Sequence, residues 1–140
     1  MRSLMRTSIP LCDTNVLSEL ARPAPDAGVQ AWASTLSHVV LSVVSLEEIE
    51  FGLAWRSNAR IASWFERFIT EHCDVLPVTD DIARVCGQMR GLLRSRGQVR
   101  TQADMLIAAT ARVHNLTLVT RNTRDFEDCF VALLNPFSSR

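Results

Sequence analysis

Residues 9–18 read IPLCDTNVLS. The run Ile9–Cys12 is apolar and short enough for a strand, and it stops at a bare carboxylate, Asp13. Thr14 and Asn15 follow, and an apolar pattern of helical period starts at once. A strand that gives way directly to a helix is half of a β–α unit. The carboxylate at the junction has two readings. It caps the helix by accepting from orphan N–H groups, or it does chemistry, because ligands of open α/β sheets bind just beyond the carboxyl ends of strands.

Working outward, further strand-like pieces occur at Val39–Ser42, Val75–Val78, Leu116–Thr120 and Phe130–Leu134. Longer pieces of helical period lie between them: Leu46, Ile49 and Leu53; Ile61, Trp64, Phe65 and Phe68; Ile82, Val85, Met89 and Leu92; Ile107, Ala108 and Ala111. RPAPDAG separates the first two helices, RSNAR splits the stretch from Ser45 to Glu71, and RSRGQVRTQ is a polar loop before a helix at Gln102–His114. HNL and LNPF close the last helix and the last strand. Strands alternating with helices predict an α/β fold with a mostly parallel sheet covered on both faces. The 140 residues form one domain, with no repeat or linker.

Composition narrows the function classes. Fifteen acids balance fifteen bases, so net charge points to no partner; every base is Arg, the better bidentate phosphate binder. No apolar run approaches the ~20 residues of a membrane span. The start, MRSLMRTSIP, lacks the long apolar core of a signal peptide, which predicts a cytoplasmic protein. Cys12, Cys73, Cys86 and Cys129 lie far apart in apolar contexts, and His38, His72 and His114 are equally scattered, so no zinc site is predicted.

The acids fall more tellingly. Asp13 ends strand one; Glu48 lies in the first turn after strand two; Asp104 lies in the first turn of the helix after the polar loop; Asp125 follows LTLVT and a short RNTR turn. In a parallel sheet those places share one edge. Capping competes for each residue singly: SLEE fits a capping box with Ser45 as cap and Glu48 at its third position, and TQAD imitates one. Four acids converging from separate segments ask for more. Carboxylates ~4 Å apart in a half-buried cleft repel by several kcal/mol and their pKa values rise. A divalent cation removes that penalty, and oxygen-only ligands select Mg²⁺ or Mn²⁺. Such ions activate water and neutralise a phosphate.

These residues resemble a known family. LCDTNVLSEL resembles the opening of PIN-domain ribonucleases, especially the VapC and FitB toxins of bacterial toxin–antitoxin pairs. SVVSLEEIEFG matches the second motif in a register that selects Glu48; ADMLIAATA resembles the third and selects Asp104; LVTRNTRDF resembles the fourth, and NPF is similar to the ending of FitB-like members. The resemblance runs from about Ile9 to Phe137. It implies a three-layer α/β/α PIN-like domain with about five parallel strands, a Mg²⁺ or Mn²⁺ site, RNA cleavage, a homodimer, and a VapB-like antitoxin that covers the cleft in a hetero-oligomer. Asp13, Glu48 and Asp104 match the three core acids. The fourth motif departs, with Asn122 where many relatives have Asp, and Asp125 stands one short turn later as a substitute. Thr14, Asn15 and Thr120 match polar positions that support the acids.

The reading is an endoribonuclease. Asp13 and Asp104 are its main metal ligands, Glu48 binds metal through water or orients the attacking water, and Asp125 with Asn122 completes the shell. Arg100, Arg121 and Arg124 are candidates to hold phosphates. The alternative is a catalytically weak PIN-like module that binds an antitoxin or nucleic acid, with Trp55, Trp64, Phe65 and Phe68 suited to a partner's amphipathic helix, to the dimer or to the core. A phosphatase or phosphoacceptor with Asp13 as nucleophile lacks its supports: the second acid's place holds Asn15, and there is no Lys.

Overall fold

The computed structural model describes residues 9–138. Most of the stretch on which the signal-peptide reading rests lies outside the described residues. Five strands form one sheet in the order β3-β2-β1-β4-β5, and every neighbouring pair is parallel. They are β1 (Pro10–Cys12), β2 (Val39–Ser42), β3 (Cys73–Leu76), β4 (Thr117–Val119) and β5 (Ala132–Leu134). Among the described residues six α-helices flank it: α1 (Thr14–Leu20), α2 (Ala27–Ala33), α3 (Val43–Trp55), α4 (Ala59–His72), α5 (Asp80–Ser95) and α6 (Gln102–His114). The α/β/α class is as the alternation of segments predicts.

The central strands send successive side chains into two different cores, as the period of two demands. Leu11 and Leu118 enter a core built with Ile82, Met89, Leu93, Met105, Ile107 and Phe126. Cys12, Leu41 and Val119 enter a second core with Val16, Leu17, Val29, Ile49 and Phe65. Helix α6 is the most deeply set: Ile107 through Ala111 are all buried, and the small alanines let it lie close to its neighbours. Asn115, in the left-handed conformation at φ 55°, closes it, a role Asn takes when Gly is absent. No helix among the described residues is long and apolar enough to cross a membrane.

Four local expectations need correction. The third strand lies at Cys73–Leu76, not Val75–Val78, because α4 runs straight into it and Pro77 has no N–H to continue a ladder. The last strand starts at Ala132, since Phe130 sits at φ 57° with its side chain exposed. Helix α3 starts at Val43, capped by Ser42, whose Oγ accepts from the Val44 N–H at 3.0 Å. The capping box at Ser45 is therefore absent: Ser45 is buried inside the helix, its Oγ without a hydrogen-bond partner among the described residues, and Glu48 lies in the second turn rather than the first. On α5 the buried stripe is Ile82, Cys86, Met89 and Leu93, while Leu92 is 47 % exposed. A helix of 3.6 residues per turn puts the next core position after Met89 at either residue, and the tilt against α6 chooses Leu93. Leu93→Ala is expected to cost about 2–5 kcal/mol and Leu92→Ala within about 0.5 kcal/mol; denaturant midpoints of the two variants check the order.

The aromatics divide. Phe65 is core; Trp64 and Phe68 stack at 4.7 Å and pack half-buried against that core; Trp55 is exposed, stacked on Phe51 at 6.3 Å. The four cysteines are free, and three are buried as small apolar groups. Burial pushes the Cys73 thiol up to about 11, with the charge of Asp74 adding to the effect.

Candidate functional site

Asp13 leaves the end of β1, between β2 and β4, and is 93 % removed from solvent (7 % exposed). It does cap α1: Oδ1 accepts from the Thr14 N–H at 2.8 Å. Its other oxygen is held from a different strand end. Thr120, just past β4 and fully buried, donates its hydroxyl to Asp13 Oδ2 at 2.8 Å, and Asn15 Nδ2 donates to the same oxygen at 3.4 Å. Thr120 Oγ1 in turn accepts from the Asn122 N–H at 3.0 Å, so Asn122 steadies the site with its main chain. Asn15 Oδ1 accepts from the Arg121 N–H at 3.2 Å.

Glu48 comes from α3. With no cap to make, its Oε1 accepts the Thr14 hydroxyl at 2.6 Å, which ties the second acid to the residue beside the first. Asp104 lies in the first turn of α6; there Thr101 caps the helix by accepting from the Asp104 N–H at 3.1 Å. Asp125 sits in a short 3₁₀ turn, Thr123–Phe126, anchored by the buried Phe126 ring.

Charge repulsion links these acids pair by pair, Asp13 with Asp104 and Glu48, and Asp104 with Asp125 and Glu48. Burial is the main force raising the Asp13 pKa, against the lowering hydrogen bonds from Thr120 and Thr14; repulsion from Asp104 and Glu48 pushes the same way as burial. Asp104 is likewise raised, first by burial, then by Asp125 and Glu48, with the Thr101 hydroxyl and the Arg100 charge opposing. Among the described residues, ion pairs within 4 Å involve only Glu19, Asp74 and Glu71, so none of the four acids has a cationic partner. Nor do any three His, Cys, Asp or Glu side chains among the described residues close into a ready-made metal cage. The fold supplies an open, all-oxygen, negatively charged edge. That donor set suits a hard cation that keeps its own waters.

The three candidate arginines differ. Arg121 is exposed at the rim, its guanidinium 4.6 Å over the Phe137 ring, in a C-terminal stretch that packs on the start of α2. That approach is so close that a Cβ on Gly28 would stand 2.5 Å from the Pro136 carbonyl oxygen. Among the described residues, Arg124 makes no side-chain hydrogen bond or ion pair. Arg100 is engaged with main-chain carbonyls around Asp125, a role that no sequence signal announced.

A parallel α/β/α sheet that gathers acids beyond the carboxyl ends of its central strands defines a class of acidic-site domain. Within that class the chain belongs to the PIN-domain family, whose model matches residues 11–129. It is 33 % identical over 135 residues to toxin FitB of Neisseria gonorrhoeae, covering 91 % of this chain and 97 % of that protein. It is 32 % identical over 133 residues to the VapC ribonuclease Y4jK of Sinorhizobium fredii, covering 89 % of this chain and 95 % of that protein. The crystal structure of FitAcB from Neisseria gonorrhoeae superposes with a TM-score of 0.78 at 34 % identity, over 91 % of this chain and 98 % of that one.

Proposed function

We propose that this protein is a Mg²⁺- or Mn²⁺-dependent endoribonuclease that acts as the toxin of a toxin–antitoxin pair. The observation that carries the reading is the set of four acids, brought from four segments to one edge, half-buried or better at Asp13 and Asp104, and without a cationic partner among the described residues. Similarity to a toxin and to a VapC ribonuclease supports it.

Asp13 and Asp104 would hold the ion, with Asp125 completing the shell directly or through water. A divalent cation bound there supplies neutralisation of the phosphodiester and acidifies water. The chain's own residues do the rest. Thr120, Thr14 and Asn15 fix the Asp13 carboxylate by hydrogen bonds and so fix its aim. Glu48 has one oxygen committed to Thr14, which leaves Oε2 to orient the attacking water and take its proton. Asn122 contributes its main-chain N–H, which an Asp at that position would contribute equally. Arg121, pre-set over Phe137, stands ready for a backbone phosphate.

The partner would be a VapB-like antitoxin, and the toxin itself a homodimer within the hetero-oligomer. An apolar groove of about 370 Å³ between α2 and α4, lined by Leu20, Trp32, Leu36, Trp64 and Phe68, fits the apolar face of a partner helix.

Purified protein, freed of host nuclease, should cleave RNA with Mg²⁺ or Mn²⁺ and stop on chelation. Asp104→Asn should be folded and inactive. Full activity of Asp104→Asn, or activity indifferent to chelator, would overturn the assignment. Tight antitoxin binding with no titratable divalent ion would instead support a catalytically weak binding module.

A further inference from the structure

We infer that Arg100 is a positioning residue whose guanidinium braces the turn carrying Asp125 against the start of α6, which carries Asp104. The inference rests on the metal-dependent reading above and assigns the residue that sets the spacing of the two acids.

Arg100 immediately precedes Thr101, the cap of α6. Its Nη1 donates to the Asp125 carbonyl oxygen at 2.7 Å and to the Glu127 carbonyl oxygen at 3.2 Å. Its Nη2 donates to Gln98 Oε1 at 3.1 Å, which steadies the guanidinium plane. Both carbonyls lie where the 3₁₀ turn ends, the place where main-chain acceptors are left without partners and a cation is favoured.

The turn needs such an anchor. It is four residues long, and its leading residue, Asn122, makes no side-chain cap. The chain beyond it passes through left-handed φ at Asp128 (67°) and Phe130 (57°), which residues with a side chain adopt at a cost. Phe126 and Cys129 are buried and pin the turn into the core, Cys129 Sγ lying 3.7 Å from Met105 Sδ on α6. Arg100 is the second hold, its Nη1 also 4.0 Å from Cys129 Sγ. With both Nη1 hydrogens on main-chain carbonyls, the fork that would grip a phosphate is in use, which sets Arg100 apart from Arg121. Its charge also opposes the repulsion that Asp125 exerts on Asp104.

The test compares wild type, Arg100→Ala and Arg100→Lys by two readouts. The first is amide hydrogen exchange without metal. Exchange over residues 123–129 should rise about tenfold or more in Arg100→Ala, as loss of charge-assisted hydrogen bonds predicts, with β1 and α1 unchanged. The second is Mn²⁺ binding by calorimetry, which should weaken about 10- to 100-fold, while KM for RNA at saturating metal stays put. Arg100→Lys keeps the charge but reaches one carbonyl, so it should shift both readouts in the same direction by less. If Arg100→Ala does not fold, Arg100→Lys decides by the same criteria. Wild-type exchange over 123–129 overturns the brace whatever the metal result. So does a raised KM for RNA with Mn²⁺ binding intact, which would make Arg100 a phosphate contact. A wild-type protein that binds no Mn²⁺ sinks the nuclease reading instead, and the exchange experiment still decides the brace.

Discussion

Asp13→Asn is expected to lower RNA cleavage by roughly a thousandfold, because a lost ligand forfeits several kcal/mol of charge stabilisation and each ~1.4 kcal/mol is a factor of ten. The same substitution should leave a folded protein whose relative stability depends on pH with a fixed sign. Asp13 holds its proton more tightly folded than unfolded, chiefly because it is buried. That contribution to stability is fully present below the unfolded pKa and is lost as pH rises through the folded one. Asn does not titrate. Whatever its lost acceptor costs at every pH, the stability of the variant relative to wild type should climb as pH rises from the ordinary carboxylate range toward neutrality. Melting curves across that window, without metal, check this, and a flat or falling difference would mean that Asp13 is not a strained carboxylate. Added Mn²⁺ should raise the wild-type midpoint and do less for the variant.

Phe126→Ala should be the most damaging change outside the acids. The ring is 1 % exposed and sits in the core formed by Met105, Ile107 and Leu118. Truncating a buried Phe costs about 3–5 kcal/mol, a large share of the ~5–15 kcal/mol that holds a domain together. For a chain of this size that is a fall of roughly 10–20 °C in the melting midpoint. Because Phe126 also seats the turn that carries Asp125, cleavage should fall further than the folded fraction does. A loss under about 1 kcal/mol would contradict the packing described.

Much of this molecule can be read from local pattern. RSRGQVRTQ followed by ADMLIAATA marks the start of α6 at Gln102, the Thr101 cap and the place of Asp104, because caps and helical period are written within a few residues. Asp13 at the strand-to-helix step is legible for the same reason. Leu92 and Leu93 show the limit. Both satisfy a helical period, and only the packing of α5 on α6 separates them. Ser42 and Ser45 show another: each is a plausible cap, and the choice depends on where the β2 ladder to β3 ends, at Ser42 opposite Leu76.

Glu48 marks the boundary most clearly. By sequence its position competed with a capping role; the fold removes that role and gives its Oε1 to Thr14. The identity of the strands and helices, the two-faced burial of β1 and the acidic character of the site were determined by the sequence alone, since each rests on spacing along the chain. That the four acids fall on one edge follows from a parallel sheet; what holds Asp13 there was decided by the strand order β2-β1-β4. That order sets Thr120 against Asp13 across 107 residues. Lateral order in a parallel sheet arises from crossovers and core packing between distant segments, and no short stretch of sequence encodes it.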